Sequence, residues 1–593
     1  MGTPPAAPTQ HSPRKSPLIL LSVAAALIFV AWPRWPQSPY WPWQRHDAHP
    51  SADTGVQWKQ CWQDPEFSCG VIEVPTDYQN SSAGKTRIPL TKLPATSSKE
   101  ERQGIILIHY GGPGIAGVES SFESARGFRE LTGGHHDIIS FDQRGQGRAE
   151  PNVNCFGSKR AYSEFQANTV FETTFSVPTD PFSEGGKAVL VEQQKQALVL
   201  EETQAAVCGR TVGADVLGYM STTATIYDME EISRVLEGED ALINFYGGSY
   251  GSVVGQYLVN MLPHKAGRVS FTGNLPADIW ANNHYETQHM VRFLLTDAEK
   301  TYTFFMNECF EAGPKHCSLA HEGDISAQNI QDRVDAFLDR LQEQPLMVPK
   351  ATRPGYLTSG GVRSTLYTAI SYPAFVSIFF DAIAHAMDGD GTDLFALLGN
   401  VIDSPAADPE PDQDGYLNFG QASLRRLAIS CGDALPRAQG EHIPSAEDIV
   451  DDILVTLRDV SPRFGATIHM MEQHGGCHYW PGTGVGPERY RGPWNNTLAT
   501  PTLIISNLYD PSTPVQGGTL IQSTMGDANS HHLIQDTVGH AYLAIDTECA
   551  AQIIRRYFVE GVLPEGRETR CARDHGNYFV QSEGATMHGP TSH

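Results

Sequence analysis

The stretch Leu242–Leu262, LINFYGGSYGSVVGQYLVNML, contains the pattern Gly-x-Ser-x-Gly at positions 247–251. LINFY is rich in residues that favour a buried strand, and the apolar residues after Ser249 favour a buried helix. A sharp strand-to-helix turn of this kind strains the serine backbone and lifts its hydroxyl above the sheet. The stretch therefore predicts that Ser249 is a nucleophile. An ordinary glycine-rich turn is the alternative, and Ser252, the nearest other serine, is expected inside the helix.

Strands and helices alternate on both sides of this turn. Strands are predicted at Cys69–Pro75, Arg87–Leu93, Gly104–His109, Asp137–Phe141, Leu242–Tyr246 and Arg268–Thr272, and helices at Thr222–Leu236 and Tyr250–Leu262. Such alternation is typical of an α/β protein with a mostly parallel sheet and helices on both faces. Strand patterns resume at Thr502–Ser506 and His531–Gln535. The helix-rich stretch before them is therefore expected to be a large cap inserted between late strands of the sheet.

The chain is too long for one hydrophobic core, since single cores stop growing at about 250–300 residues. It has 593 residues, and the patterns divide it into five segments. These are an N-terminal signal and linker segment (1–57), the first part of the core (58–274), the helix-rich cap (275–496), the second part of the core (497–572) and a polar tail (573–593).

The N-terminal segment resembles a signal sequence. Arg14 and Lys15 precede an apolar run from Leu18 to Trp32, which is short for a helix that spans a membrane. No small-residue cleavage site follows the run. We therefore expect an uncleaved signal anchor with the catalytic part outside the cytoplasm, and this segment as the only contact with a membrane. A cleaved signal peptide, which gives a secreted protein, and a buried or disordered N-terminus are the alternatives.

Ten cysteines and two glycosylation sequons agree with export. Spacing alone does not fix the disulfide connectivity, but it favours pairs between near neighbours. The proposed pairs are Cys61 with Cys69, Cys309 with Cys317 and Cys549 with Cys571, and the set is completed by Cys155 with Cys208 and Cys431 with Cys477. The sequons begin at Asn80 and Asn495.

The formal net charge of −26 argues against nucleic acid as a partner, because polyanion binding needs clustered lysine and arginine. No cofactor motif is present, and we expect no metal. His531 and His532 are adjacent on a predicted strand, so they point to opposite faces. His474, Cys477 and His478 could form a metal site, but a disulfide at Cys477 is the preferred interpretation in an exported chain.

The loop His109–Gly114, with the sequence HYGGPG, follows the buried strand GIILIH. Attack by a serine on a carbonyl group creates an oxyanion, which backbone N–H groups stabilise. We expect one donor from Tyr250, the residue after the nucleophile, and the other from Gly112 in this loop. His109 is expected to hold the loop by hydrogen bonds rather than to act as a base.

The acid and the base should follow the serine in that order along the chain. Asp510 comes shortly after the predicted strand TLIIS, and a carboxylate there can orient an imidazole. Asp536 is the main competitor. His540 follows the predicted strand HHLIQD and is the candidate base that takes the proton of Ser249.

These motifs together resemble the proline iminopeptidase and tripeptidyl aminopeptidase family of α/β hydrolases. The matching residues are Gly111–Gly114 (GGPG), Asp142–Gly147 (DQRGQG), Gly247–Gly251, Asp510–Pro514 (DPSTP), Gly539-His540, and the C-terminal pattern around Cys549, Tyr557, Leu563 and Cys571. The patterns around Ala428–Asp433 and Cys477–Trp480 also look like the tripeptidyl aminopeptidase branch. The resemblance implies an α/β-hydrolase fold.

The resemblance also implies a serine exopeptidase that removes residues or short peptides from a free N-terminus. Such enzymes use carboxylates of the cap to bind the substrate ammonium group, and Asp433 and Glu472 are the candidates here. A solvated or structural carboxylate is the ordinary alternative for both. An esterase, lactonase or biosynthetic acyl hydrolase with the same triad is the second hypothesis, since the chemistry serves any acyl carbon. A catalytically inactive binding module is the third.

Overall fold

The computed structural model describes residues 55–285, 289–401, 421–471, 476–484, 486, 488–540 and 547–580. The predicted signal anchor, Glu472 and His474 lie outside these residues. Among the described residues, no single helix is long and apolar enough to cross a membrane. Two consecutive helical segments meet that test only as a pair, which is bent by 113°: Ser359–Ser371 and Pro373–Met387.

Within the described chain, ten of twelve strands form one sheet in the order β1-β2-β3-β5-β4-β6-β7-β10-β11-β12. The strands are β1 (Lys59–Gln60), β2 (Ser68–Pro75), β3 (Lys85–Leu93), β4 (Ile105–His109), β5 (Asp137–Phe141), β6 (Ile243–Gly248), β7 (Ala266–Thr272), β8 (Leu346–Val348), β9 (Gly355–Leu357), β10 (Thr502–Tyr509), β11 (Ser530–Val538) and β12 (Glu568–Cys571). β8 and β9 form a separate hairpin.

The sheet is mostly parallel, as the sequence predicted. β1, β2 and β3 pair antiparallel at one edge, and every pairing from β5 to β12 is parallel. The carboxyl ends of β4, β6, β10 and β11 therefore lie at the same edge of the sheet. Ligands of open α/β sheets bind outside this edge.

The helices are α1 (Gly117–Leu131), α2 (Lys159–Gln166), α3 (Val170–Thr173), α4 (Glu184–Thr211), α5 (Ala214–Leu217), α6 (Thr222–Glu237), α7 (Tyr250–Met261), α8 (Ala277–Ala281), α9 (His289–Leu294), α10 (Ala298–Ala312), α11 (Ala327–Glu343), α12 (Ser359–Ser371), α13 (Val376–Met387), α14 (Thr392–Val401), α15 (Ala422–Asp433), α16 (Ala446–Asp459), α17 (Gly465–Met471), α18 (Val515–Met525) and α19 (Glu548–Glu560).

Both faces of the central strands are covered by helices. All five residues of β4 are buried, and alternate residues enter two different cores. Ile106 and Ile108 pack in one cluster with residues of α1 and α19. Ile105 and Leu107 pack in another with residues of α6 and α7. This alternation explains why the strand is continuously apolar, as is usual for a parallel strand buried on both faces.

The described residues between β7 and β10 are mainly helical, apart from the hairpin and irregular loops. A further insertion, α2 to α4 between β5 and β6, was not predicted. α4 packs against α16, and Leu190, Val191, Val450 and Ile453 share one buried cluster. Residues from two distant parts of the chain thus build the cap.

Cysteine pairing and the C-terminal segment complete the fold. The structure joins all ten cysteines in the five pairs favoured by the sequence. Part of the segment assigned to a polar tail is packed, since Tyr578 and Phe579 are buried in the main cluster of the cap. Arg573 also pairs with Glu308 on α10 over 3.0 Å.

Candidate active site

Ser249 lies at the turn between β6 and α7. Its backbone has φ 56° and ψ −121°, a conformation that residues with a side chain rarely adopt. A Cβ atom at Gly247 would lie 2.4 Å from the carbonyl oxygen of Gly251, so only glycine allows the chain to turn this tightly. Ser252 is fully buried within α7, and its hydroxyl accepts from Leu275 N over 3.1 Å. Of these two serines, only Ser249 has the strained backbone expected of a nucleophile.

The glycine-rich loop after β4 lies directly against this turn. A Cβ atom at Gly111 would come within 2.5 Å of Gly248 O and 2.9 Å of the Ser249 Cβ. Gly111 N donates to His109 Nδ1 over 3.1 Å, which confirms the structural role expected of His109. The loop and the serine are therefore neighbours, although Gly112 and Ser249 are 137 positions apart in the sequence.

The DQRGQG segment supports the loop from inside the molecule. Asp142 is fully buried and accepts from Val118 N over 2.9 Å and from Arg148 N over 2.7 Å. Burial raises the pKa of this carboxyl to about 6, although the two amide hydrogen bonds favour its ionised form. Arg144 is buried in a paired contact with Asp228. These charged residues stabilise the loops rather than face a substrate.

Asp510 and His540 are in direct contact. Asp510 follows β10 and is fully buried, while His540 follows β11 and its side chain is 10% exposed. His540 Nδ1 lies 3.2 Å from Asp510 Oδ1 and 3.1 Å from Oδ2. Asp510 Oδ1 also accepts from Ser512 N and Thr513 N, each over 2.8 Å. Asp536, the predicted competitor, is exposed on β11.

Thr513 completes this contact; it belongs to the DPSTP motif, but the sequence had given it no role. Its hydroxyl donates to Asp510 Oδ2 over 2.7 Å and lies 3.0 Å from His540 Nδ1. The side chain therefore fixes the carboxylate and the imidazole relative to each other. Its position three residues after Asp510 in the turn DPSTP is the signal that could have identified it.

The cap holds the acid and base loops in place through α12. Ser371 O, at the end of α12, accepts from His540 N over 2.8 Å. Tyr367, on the same helix, donates to Ser512 Oγ over 2.9 Å, and burial raises the pKa of its phenol well above the usual value. Sequence reasoning missed both residues, because nothing in the pattern of a helix shows which distant loop it will contact.

Asp433 does not fit its predicted contact with a substrate. Its side chain is fully buried at the end of α15, and it accepts from Thr222 N and Trp280 Nε1, each over 2.9 Å. Burial raises the pKa of this carboxyl, and the hydrogen bonds oppose that shift. Within the described part of the chain, these donors enclose the carboxylate and leave no open side for a substrate ammonium group. The role predicted for Glu472 stays a prediction, since that residue lies outside the described part of the chain.

The remaining predicted residues lie away from the site or on the surface. Asn80 and Asn495 are exposed, as a glycosylation acceptor must be. His531 and His532 contact different partners: His531 Nδ1 lies 2.9 Å from Gly566 O, and His532 Nε2 lies 3.0 Å from Ser506 Oγ. The described residues contain no group of three histidine, cysteine or acidic side chains placed to hold a metal.

Comparison with known families agrees with this geometry. The family described as "alpha/beta hydrolase fold" matches residues 104–313, and the family described as "TAP-like protein" matches residues 461–571. The two matches include the turn at Ser249 and both Asp510 and His540. The chain is an α/β hydrolase of the TAP-like family. It is a serine hydrolase, as the sequence predicted.

Three relatives that are similar to this chain carry the names of different activities. Serine protease Hip1 of Mycobacterium tuberculosis is 22% identical over 536 residues, 87% of this α/β hydrolase and 91% of the relative. Tripeptidyl aminopeptidase of Streptomyces coelicolor is 28% identical over 225 residues, which cover 37% of this chain and 38% of that one. Carboxylesterase B of Mycobacterium tuberculosis is 23% identical over 509 residues, 85% of this chain and 86% of the relative.

Proposed function

We propose that this α/β hydrolase is an exported serine exopeptidase, which releases residues or short peptides from the free N-terminus of a peptide. Ser249 is the nucleophile, His540 the general base and Asp510 the residue that orients the base. The observation that carries this proposal is the contact of Asp510 and His540 at the sheet edge where the strained turn of Ser249 also lies. This set of groups is the one that acyl transfer through a serine requires.

The contact between Asp510 and His540 supports the role of each. Both carboxylate oxygens can only accept, so the proton of the imidazole lies on Nδ1, which faces them. Nε2 then carries the lone pair that takes the proton of Ser249 during attack. Asp510 keeps the imidazole in this tautomer and stabilises the imidazolium that forms during attack. His540 afterwards donates the proton to the leaving amine, and water releases the acyl group from Ser249.

The oxyanion of each tetrahedral intermediate is stabilised by the N–H groups of Gly112 and Tyr250. Tyr250 begins α7 directly after the serine. The Gly111 amide already donates to His109, so Gly112 is the loop residue assigned to the oxyanion. Removal of one such donor costs about 10²- to 10³-fold in kcat in serine hydrolases.

The choice of a peptide substrate rests on the family and on two relatives. The TAP-like family match covers the acid, the base and the C-terminal disulfide Cys549–Cys571. The two relatives carry the names serine protease and tripeptidyl aminopeptidase. A free substrate ammonium group would distinguish an N-terminal exopeptidase from other serine hydrolases.

A substrate panel tests this proposal. The panel contains one peptide series with free N-termini, the same series with acetylated N-termini, and simple p-nitrophenyl esters, and the full-length Ser249→Ala variant is the matched control. We expect kcat/KM for free N-termini to exceed that for acetylated ones by at least about 100-fold, because a site built to bind a polar group discriminates strongly against its absence. Equal rates for both series would contradict the exopeptidase proposal.

An esterase or other acyl hydrolase is the second candidate. The similarity to carboxylesterase B covers nearly the whole chain, so the same triad on the same fold can serve ester substrates. Rapid hydrolysis of esters, with neither peptide series cleaved, is the outcome that favours this candidate. Loss of ester activity in Ser249→Ala would then show that the nucleophile was assigned correctly and that the substrate class was not.

Export is supported by the five disulfides, which persist in oxidising compartments. We propose that residues 18–32 form an uncleaved signal anchor, because two basic residues precede this apolar run and no small-residue cleavage site follows it. Mass spectrometry of the N-terminal peptide tests the anchor. Recovery of the intact segment in the membrane fraction is expected, and a mature N-terminus beyond residue 32 would contradict it.

A further inference from the structure

A chain of buried hydrogen bonds connects the oxyanion loop to Asp433. It starts at Gly111 N, which donates to His109 Nδ1 over 3.1 Å. His109 Nε2 lies 3.0 Å from Gln143 Oε1, and Gln143 Nε2 donates to the Tyr250 hydroxyl over 3.2 Å. The Tyr250 hydroxyl contacts Thr222 Oγ1, which contacts Asp433 Oδ2. The five side chains of this chain are at most 5% exposed.

The groups at the two ends of this hydrogen-bond chain fix which partner donates in each bond between them. A backbone N–H can only donate, so His109 Nδ1 is an acceptor and the single proton of the neutral imidazole lies on Nε2. Burial lowers the pKa of His109 to about 4, which keeps the imidazole neutral at neutral pH. The Nε2 proton is then donated to Gln143, whose amide nitrogen in turn donates to Tyr250.

At the other end, the carboxylate of Asp433 acts as an acceptor, because N–H groups face both of its oxygens. Thr222 therefore donates its single hydroxyl proton to Asp433, and Tyr250 donates its own proton to Thr222. Asp433 also accepts from Thr222 N and Trp280 Nε1. Arg491 lies nearby, since its guanidinium donates to the backbone oxygen of Asp433 over 2.8 Å. All donors thus point towards the carboxylate, and no group in the chain has two incompatible roles.

We propose that Asp433 is a positioning residue that orients both donors of the oxyanion hole through this hydrogen-bond chain. The proposal rests on the roles assigned above to Gly112 and Tyr250. The hydrogen-bond chain begins at the Gly111 amide and contacts the Tyr250 side chain, so it connects the two segments that supply these donors. The Gly112 N–H lies in the next peptide plane, so its direction depends on how His109 holds the Gly111 amide and on the backbone angles of Gly111, whose φ is 88°.

A second glutamine joins this chain of hydrogen bonds at Gln143. Gln146 Nε2 donates to Gln143 Oε1 over 3.2 Å, so this oxygen accepts from Gln146 as well as from His109. Charge-assisted, buried hydrogen bonds are the strong class of such contacts, and a carboxylate at the end of the chain polarises each member.

Tyr250→Phe is the variant that tests the chain with the smallest structural change. It removes one hydroxyl and leaves the ring and the backbone N–H in place. Tyr257→Phe is the matched control, because Tyr257 is also fully buried on α7 and its hydroxyl has no hydrogen-bond partner among the described residues. Both variants are measured as full-length protein with p-nitrophenyl acetate, and their melting temperatures are compared.

We expect Tyr250→Phe to lower kcat by about tenfold to a hundredfold with KM changed less than about twofold, because it weakens contacts made in the transition state. Tyr257→Phe should keep the kcat of the parent. The variant Asp433→Asn should give a similar loss of kcat, and the double variant with Tyr250→Phe should lose no more than the worse single variant, since both break one chain.

Equal kcat values for Tyr250→Phe, Tyr257→Phe and the parent would overturn the proposal, as would losses that simply add in the double variant. If Asp433→Asn does not fold, the comparison of the two tyrosine variants decides alone. Labelling of the parent by a fluorophosphonate separates this outcome from a failure of the proposed function. An unlabelled, folded parent contradicts the nucleophile, whereas a labelled parent with unaffected Tyr250→Phe contradicts only the chain to Asp433.

Discussion

The carboxyl edge of the sheet and the cap differ in how their residues are held. At the edge, Ser249 and Asp510 directly follow β6 and β10, and His540 comes two residues after the end of β11. Hydrogen bonds and tight turns set their positions. In the cap, helices from two insertions pack through apolar clusters. Directional contacts therefore define the site, while non-directional burial stabilises the part around it. Substitutions at the edge should change the rate, and those in the cap should change stability.

Ser249→Ala has the largest effect expected at the sheet edge. We expect it to lower kcat for every substrate by about 10⁵- to 10⁶-fold, because the covalent step is lost. Its melting temperature should stay close to that of the parent, since the substitution removes the hydroxyl and leaves the turn. Steady-state kinetics with a peptide and an ester measure the loss. Ser252→Ala is the control, and substantial activity in Ser249→Ala would show that another group attacks the substrate.

Asp510→Asn should have the next largest effect, with kcat lowered by about 10³- to 10⁴-fold, because an amide that donates to Nδ1 favours the wrong imidazole tautomer. Asp536→Asn is the matched control, since Asp536 is exposed on β11. The comparison is made with the same substrate and at the same pH. If both variants keep the parent's kcat, Asp510 does not orient His540.

Leu190→Ala tests the other region. Leu190 is fully buried where α4 meets α16, and its truncation should lower the free energy of unfolding by about 2–4 kcal/mol. The kcat for an ester should change less than about twofold in the folded protein. Val199→Ala, on the same helix but 63% exposed, is the control for both measurements. A large fall in kcat without a change in stability would contradict the division between edge and cap.

His136→Leu should have the smallest effect, and it concerns pH. His136 is fully buried directly before β5, and neither ring nitrogen has a hydrogen-bond partner among the described residues. Burial, and then the nearby charge of Arg268, lowers its pKa to about 4. Between pH 6.5 and 4 the unfolded chain therefore binds more protons at this residue than the folded protein, so this residue makes stability fall as the pH falls.

The variant removes that proton uptake. Denaturant unfolding at pH 8 and pH 5 should show a loss of stability on acidification that is about 1–2 kcal/mol smaller in His136→Leu than in the parent. His264→Leu, at an exposed position, is the control and should keep the parent's pH dependence. The same dependence in all three proteins would show that His136 does not resist protonation in the folded state.

The contrast between the two regions also explains what the sequence could predict. The turn at Ser249 and the positions of Asp510 and His540 depend on local patterns, so they could be identified from short motifs. α4 could not, since its buried face includes Gln194, Glu201 and Gln204 and lacks a clear apolar stripe.

Asp433 was interpreted wrongly for a related reason. Its partners Thr222 and Trp280 lie 211 and 153 residues away along the chain, so the sequence shows the carboxylate but not the donors that enclose it. A buried structural acid and an exposed substrate-binding acid have the same one-letter code. Only the tertiary contacts separate the two roles.

The most direct test of the account is the position of a covalent fluorophosphonate adduct. Labelled full-length protein is digested with trypsin, and the peptide spanning residues 235–265, which contains both Ser249 and Ser252, is fragmented in a mass spectrometer. The account predicts one adduct, on Ser249, in the parent and none in Ser249→Ala. An adduct on Ser252 or on another residue, or no adduct on correctly folded protein, would contradict it.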